Sequence, residues 1–558
     1  MIGTPHTGGF VVLSPACKPV MDERQDYKVF WIAVCALLLL SRLPAMASYL
    51  SIDNVNLALS LEKFDPRIHQ PQPPGYPLFV LFGRIVNSFV RNEERTFVAI
   101  SLLASALCLP AAFALGKRMF SRWAGAAAVL LLLVNPVFWH SSLDGPLRPH
   151  LALFSLLTAY CCWRCWNGEK QFAVWGAVAL GIGSGFRPDL VAFLFPLWAV
   201  SSWIGTRSWK ALLQSAAVLA GIAFIWIGAL VVAMGGVHTF FEIMLNYAVD
   251  QSKSESIVLG SSILAWLKQT NRLVIWNGLA IVTWIWALPF YFRNRERLPL
   301  TSAQGVFFFI WLAPGLIVQA LVHIGAPGHT LFSVAALCVM GGYVLSLTPG
   351  REVLLSAALV LNTMLFLDFF PLPDALSNTD HQAPSFKNAI LFGIYESSIG
   401  MVRSLDEVAR ESLKEVQEFT PADRPSIIVT TDLNGDRWFL HWQIARYYLP
   451  GRDIWVLDNG AIKKRAEHIR RDQFLEMRDR SVPVTVPVFR EGRILWVIEP
   501  ESAIYKQLAS TQQLKGGKYV FYTDITADSP SIRIDDFDIV PALYGFLPPQ
   551  AKSVSSGN

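Results

Sequence analysis

Four stretches of the chain gather groups able to do acid–base and anion-binding chemistry, each next to a long apolar run. The first holds Asp53, Asp65, Arg67, His69 and Tyr76. The second holds His140, Asp144 and Arg148, with His150 close behind. The third is Arg187-Pro188-Asp189, and the fourth runs His323-Ile324-Gly325-Ala326-Pro327-Gly328-His329. A carboxylate at a membrane surface can take a proton from a hydroxyl. Arginine grips phosphate oxygens with a two-pronged fork and stabilises the charge that develops as a phosphate leaves. The set therefore suits holding an anionic lipid headgroup and activating a hydroxyl beside it. That is the chemistry of glycosyl transfer from a polyprenyl-phosphate sugar. Such a donor carries its own leaving group and arrives through the lipid, so no nucleotide fold is required. Neither G-x-G-x-x-G nor a P-loop sequence occurs before residue 371.

The elements that must position these groups are mostly membrane helices. Of the 558 residues 53% are hydrophobic and only 16% charged, well below the roughly 25% of a soluble chain. Eleven apolar runs are legible, at about 29–48, 96–115, 123–140, 150–166, 172–186, 190–205, 211–234, 273–292, 304–323, 330–348 and 352–370. Residues 77–90, interrupted by Arg84 and Asn87, read as a short helix on the membrane face or in a cavity wall. Basic residues fall on alternate loops: Lys117, Arg118 and Arg122, then Lys170, Arg207 and Lys210, Arg293, Arg295 and Arg297, and Arg351. This alternation puts those loops and the N-terminus in the cytoplasm, and the four polar stretches outside. The net charge of +5 reports topology in this way, and nucleic acid is not an expected partner.

The expected organisation is a cytoplasmic tail at 1–28, a helical bundle at 29–370 whose first external loop is about 49–95, a linker at 371–424, and an exterior α/β domain at 425–550. Strands are expected at Ser426–Thr431, Asp453–Asp458, Arg493–Ile498 and Lys518–Tyr522, with helices between them, giving a largely parallel sheet. No cysteine lies beyond Cys338, so that domain has no disulfide framework, and Cys162-Trp163-Arg164-Cys165 lacks the second ligand pair of a zinc site. Asp432-Leu433-Asn434-Gly435-Asp436 opens like a calcium loop, but Arg437 stands where glycine belongs.

Asp53 just past the first apolar run, with His69-Gln70-Pro71-Gln72-Pro73-Pro74-Gly75-Tyr76-Pro77-Leu78 downstream, resembles the first external loop of GT-C-fold glycosyltransferases. The resemblance is to the bacterial branch related to protein O-mannosyltransferases and the lipid A aminoarabinose transferase. Asn135-Pro136-Val137-Phe138-Trp139, Gly185-Phe186-Arg187-Pro188-Asp189-Leu190 and Gly325-Ala326-Pro327-Gly328-His329 resemble the same proteins in the same order. It implies a mostly α, polytopic GT-C-like bundle of about eleven transmembrane helices, in a bacterial inner membrane, with a periplasmic C-terminal domain. It also implies that Asp53 is the general base of an inverting transfer. The chain departs from the family where Asp53-Asn54 replaces an Asp-Glu pair and Asp144 replaces a frequent glutamate.

Residues and resemblance together assign catalysis to Asp53 and donor-phosphate binding to Arg187, His323, His329 and Arg148. Asp65, His69, Tyr76 and Asp144 are assigned to the acceptor or to shaping the loop. No metal ligands are assigned and no cofactor is expected, although a divalent metal is left open. The partners are a polyprenyl-phosphate sugar, membrane lipids, and an acceptor that is a lipid, a glycan or a protein. Simpler roles exist for each residue. Asp53 and Asp144 can cap helices, Asp65-Pro66 can form a turn, and Arg187, His323 and His329 can anchor at the interface. A transporter or flippase is the competing class, but it should show broken helices at matching places in two halves, and only the 187–189 break is visible. A scaffold displaying the α/β domain leaves the polar first loop without a purpose.

Overall fold

The computed structural model of the chain describes residues 23–253, 256–294, 300–369, 386–423, 425–431, 440–458, 484–485, 491–498, 500, 502–511, 514–526, 533–534 and 538–541. The N-terminal tail with Cys17, the calcium-like run at 432–436 and the charged segment after residue 458 lie outside them.

Each of the eleven apolar runs is helical. They correspond to α1 (Glu23–Arg42), α4 (Glu93–Met119), the pair α5 (Arg122–Val134) and α6 (Pro136–Asp144), α7 (Pro149–Trp166), α8 (Phe172–Phe186), α9 (Asp189–Thr206), α10 (Trp209–Ala233), the segments α12 (Ile263–Ile281) and α13 (Leu288–Asn294), α14 (Ser302–Leu321), α15 (Leu331–Ser346) and α16 (Arg351–Phe366). Six described helices are long and apolar enough to cross a membrane alone, and the two bent pairs, turned by 54° and 61°, bring this to eight. The remaining three runs form α7, α8 and α16, of 18, 15 and 16 residues. Between α1 and α4 lie α2 (Ile52–Glu62) and α3 (Pro77–Val90), and α11 (Val237–Lys253) follows α10.

Local sequence explains the breaks. Asn92 caps α4 by accepting from the Arg95 amide at 2.8 Å, and Glu93 and Glu94 sit in its first turn with Lys117 and Arg118 in its last, matching the helix dipole at both ends. At Asn135-Pro136 the proline has no N–H to continue α5. Asn135 instead caps α6 through the Phe138 amide, 3.2 Å. The buried Arg42 donates to the Leu133 carbonyl that the bend strands, and to Ser142 Oγ at 3.3 Å. Its guanidinium also lies 4.6 Å from the Trp139 ring, which stacks at 4.0 Å on Phe366. These contacts fix the rotation of α6. Of the six helices long enough to span alone, the most enclosed is α15, packed along α5, where Gly342 meets the Ala124 backbone too closely for any side chain.

The stretch expected as a linker, 371–424, contains two helices from residue 386 onward: α17 (Phe386–Tyr395) and α18 (Ile399–Phe419). Trp276 of α12 donates to the Gly393 carbonyl at 3.1 Å, docking α17 on the bundle. Buried Val402, Val408, Ala409, Leu413 and Val416 form an apolar stripe on α18, whose helical spacing is masked in the sequence by the many charges between them.

Beyond it the sheet has the order β5-β6-β4-β1-β2-β8. Its strands are β1 (Ser426–Thr431), β2 (Ile454–Asp458), β4 (Gly492–Val497), β5 (Lys515–Gly516), β6 (Val520–Ile525) and β8 (Asp538–Pro541), with a separate pair of β3 (Val484–Thr485) and β7 (Arg533–Ile534). Helix α19 (Trp442–Tyr448) follows β1, and α20 (Ala503–Thr511) follows β4. The sheet is mixed where a largely parallel one was expected. β1 pairs parallel with β2 and β4, but β6 and β8 run antiparallel. A helix between β4 and β6 reads as a parallel crossover, but the chain reverses through the β5–β6 hairpin after it. The two sides of β1 bury Ile428 on the α18–α19 face and Ile427 with Val429 on the other, the period of two expected of a central strand. Glu415 of α18 accepts from the amides of Lys518, Tyr519 and Val520 at 2.6–2.9 Å, tying the helix to the sheet.

Candidate active site

A cavity of 510 Å³ lies where the bundle meets the α/β domain. Its floor and walls are Tyr49–Asp53, His140, Asp144 and Arg148, and the Gly325–Pro327 loop; its roof is Met401–Ala409 of α18 and Leu440–Ile444 at α19. The roof is tied down at sites far apart in sequence. Asp406 accepts from the Ser48 amide at 2.8 Å and the Tyr49 amide at 3.1 Å. Tyr448 donates to Glu94 at 2.8 Å and accepts from the Leu50 amide at 2.8 Å.

Asp53 occupies the first turn of α2, exposed to this space. Ser51 is the residue at the N-cap position, so Asp53 is a first-turn acid favoured by the dipole and not the cap. Asn54 and Asn56, beside it on α2, are buried and hold the helix: Asn54 donates to the Asp144 carbonyl, and Asn56 to Gln443 of α19 at 3.3 Å.

Arg187 follows α8 at the proline break. Its guanidinium forks onto Asp189, 3.2 and 2.7 Å, and stands 5.8 Å from the Tyr76 ring. Burial, with 7% exposure, works against its charge. Asp189, Tyr76 and Asp53 outweigh burial and hold it firmly protonated. Tyr76 is left-handed, with φ of 45° directly after Gly75 at 93°. Gly75 has no room for a side chain against Leu230, and Pro77 then starts α3. This geometry turns the Tyr76 phenol into the field of Arg187, Asp53, Asp189 and Arg148, while burial, the dominant cause, raises its pKa and keeps it neutral.

Arg148 lies 3.7 Å from Asp144, one turn along, and packs over Gly328. His323 and His329 have ring centres 6.1 Å apart, and the Gly325 amide donates to His329 Nδ1 at 3.2 Å. The charges of Arg187 and Arg148 both reach His329. The structure thus gathers Asp53, Tyr76, Asp144, Arg148, Arg187, His323 and His329 into one electrostatic neighbourhood.

Asp65 and His69 stand apart from the cavity lining. Asp65 chelates Arg67 at 2.8 and 2.9 Å and bridges its backbone to Gln70, and His69 faces Tyr247 of α11 with ring centres 6.1 Å apart. Among the described residues no three His, Cys, Asp or Glu side chains form a metal-holding group. Sequence reasoning assigned no role to Glu396, Asp406, His441 and Gln443, which also line or border the cavity. They reach it from chain segments far downstream of the Tyr49–Asp53 and His140–Arg148 walls, and no local signal marks them.

Residues 70–234 match the sequence profile described as dolichyl-phosphate-mannose-protein mannosyltransferase, less than half of the chain. No curated protein matches the sequence significantly. Among solved structures, ArnT from Cupriavidus metallidurans bound to undecaprenyl phosphate aligns with a TM-score of 0.56 at 14% identity, covering 91% of this chain and all of ArnT, and the apo form aligns with the same score at 13%. The oligosaccharyltransferase AglB from Archaeoglobus fulgidus, with an inhibitory peptide and a dolichol-phosphate, covers 95% of this chain and 78% of AglB at 12% identity and a TM-score of 0.41. Fold and profile agree on the enzyme class, and the chain is an integral membrane protein with the GT-C glycosyltransferase fold, resembling the protein mannosyltransferase and ArnT branch.

Proposed function

We propose that the protein transfers a sugar from a polyprenyl-phosphate donor to an acceptor hydroxyl, with inversion, on the exterior side of a bacterial inner membrane. The observation that carries this reading is the single roofed cavity shared by Asp53, Asp144 and Arg148, within the field of Arg187. Asp53 takes the proton of the acceptor hydroxyl as its oxygen bonds to the anomeric carbon. The bond from that carbon to the phosphate oxygen breaks on the opposite face, and the electron pair leaves with the polyprenyl phosphate. Arg187 and Arg148, with His323 and His329 beside them, neutralise the developing charge. One displacement inverts the anomeric centre. The ArnT structure with undecaprenyl phosphate supports the choice of lipid.

Sidedness is supported by the bundle's two ends. Arg118 and Arg164 meet at Glu169, and Arg351 lies over Trp123, at the end of α4 and α7 away from the cavity. Basic loops mark the cytoplasmic face, so the cavity and the α/β domain are assigned to the exterior. Purified protein incubated with synthetic polyprenyl-phosphate sugars and candidate acceptors should release polyprenyl phosphate and give a product of inverted anomeric configuration by NMR. A product of retained configuration, or hydrolysis as the sole reaction across all acceptors, would sink the mechanism.

A further inference from the structure

His140 is 4% exposed, and among the described residues neither of its ring nitrogens has a hydrogen-bond partner. It lines the cavity one helical turn before Asp144. Buried polar atoms are almost always paired, and an orphan costs stability, so each one in a folded protein requires an explanation. The helix cannot turn to relieve it, because the Asn135 cap, the Arg42 contact to Ser142 and the stack of Trp139 on Phe366 fix the rotation of α6 on three sides. Its nearest carboxylate, Asp144, is engaged with Arg148. The neighbouring Ser141 Oγ is likewise buried without a partner.

We propose that His140 is a ligand-binding residue that hydrogen-bonds a hydroxyl of the sugar substrate, resting on the glycosyltransferase reading above. The chemistry of the ring selects the ligand group. A neutral imidazole offers one N–H donor and one nitrogen acceptor. A sugar hydroxyl is itself donor and acceptor, so it can answer either nitrogen, and two adjacent hydroxyls can answer both. A phosphate diester has no proton to give and would leave the acceptor nitrogen unanswered. The surrounding wall agrees. Asp53, Asp144 and Glu396 line the same cavity, outnumbering Arg148, the guanidinium among its lining residues, and carboxylates accept from hydroxyls but repel phosphate. Arg148 then marks where the phosphate-binding side and the sugar-binding wall of the one site meet.

The test contrasts stability with binding in the full chain. In His140→Leu the orphan nitrogens are gone and the volume is nearly kept. The variant should melt at the same temperature as the wild type or higher, yet bind a polyprenyl-phosphate sugar roughly three- to tenfold more weakly. Its affinity for polyprenyl phosphate without sugar should be unchanged. If the hydroxyl belongs to the acceptor, sugar-donor binding stays constant and the acceptor KM rises by the same factor instead. His140→Gln, which keeps a donor and an acceptor, should recover part of the loss. A lower melting temperature for His140→Leu would overturn the proposal, since the ring would then be a structural contact. Equal weakening for the bare lipid phosphate, or no change in either substrate, would overturn it too. A wild-type protein that binds neither lipid removes the underlying reading and the proposal together, an outcome distinct from a wild type and a His140→Leu variant that bind alike.

Discussion

Two polar regions lie at the cavity end of the bundle, and they use their polar groups in opposite ways. In the first loop, Asp65 satisfies Arg67, the Asp65 and Gln70 backbones satisfy each other, and His69 turns to α11. In the short wall helix α6, His140 and Ser141 are buried with hydrogen-bonding capacity left over. The first region has the recognisable proline-rich motif, while the second has only a bend after Asn135-Pro136. Apart from Gln72 Oε1, which is buried without a partner among the described residues, the groups named in the first region are paired with one another and act as a frame; a region with unmatched groups facing a cavity is built for a guest. Tyr76 and Asp53 belong to the first region in sequence, but they lie at its edges and face the second.

This contrast can be broken most directly at Asp53. Asp53→Asn keeps the shape and most of the first-turn capacity to accept hydrogen bonds, so expression and donor binding should hold while transfer falls about 10²–10⁴-fold. Full activity in a turnover assay would return the residue to the frame. Next in size is Arg187→Ala, which should raise the donor Kd roughly tenfold to a hundredfold, as for a charge-assisted contact. Arg187→Lys should recover little of it, because an ammonium lacks the fork, and equal donor affinity in all three proteins would shift the phosphate to Arg148.

The roof gives a smaller, pH-dependent effect. Burial raises the Asp406 carboxyl above its ordinary range, and the Ser48 and Tyr49 amides only partly offset this. A group raised in the folded state binds its proton more tightly there, so its contribution to stability falls as pH climbs through the folded value. Asp406→Asn should therefore gain on the wild type in thermal unfolding as pH rises from about 4, whereas Asp406→Ala, which strands both amides, should cost about 1–3 kcal/mol. A wild-type advantage over Asp406→Asn that grows with pH would contradict this. The smallest effect belongs to the frame: Asp65→Asn should lower stability by no more than about 1 kcal/mol, because Arg67 is part-exposed, and leave the acceptor KM unchanged. A large acceptor effect would move Asp65 into the site.

What could be read in advance follows from where each signal resides. The eleven membrane runs were legible because each depends on its own apolar stretch, but the break between α5 and α6 at Pro136 lay inside the run read as 123–140 and was not. The cluster around Asp53, Arg148 and Arg187 could be anticipated because all these groups lie at the same ends of those helices. The roles of Asn54 and Asn56 could not be read, because sequence shows a side chain's chemistry and not its direction; both point into contacts between helices. Asp406 and Gln443 left no trace, since their partners Ser48 and Asn56 lie more than 350 residues away. α18 was hidden for a different reason, its apolar stripe diluted by charges on the solvent side.

The roof contacts also set an order of assembly. Chains are made from the N-terminus onward and their domains fold as units, so Asp53, Arg148 and Arg187 reach the membrane well before α18 and α19 exist. Until Asp406 meets Ser48 and Tyr448 meets Glu94, the groups of the proposed site lie in an open trough wet with solvent. The cavity gains its roof only when the last domain arrives, so the final third of the chain acts as the latch on the proposed site.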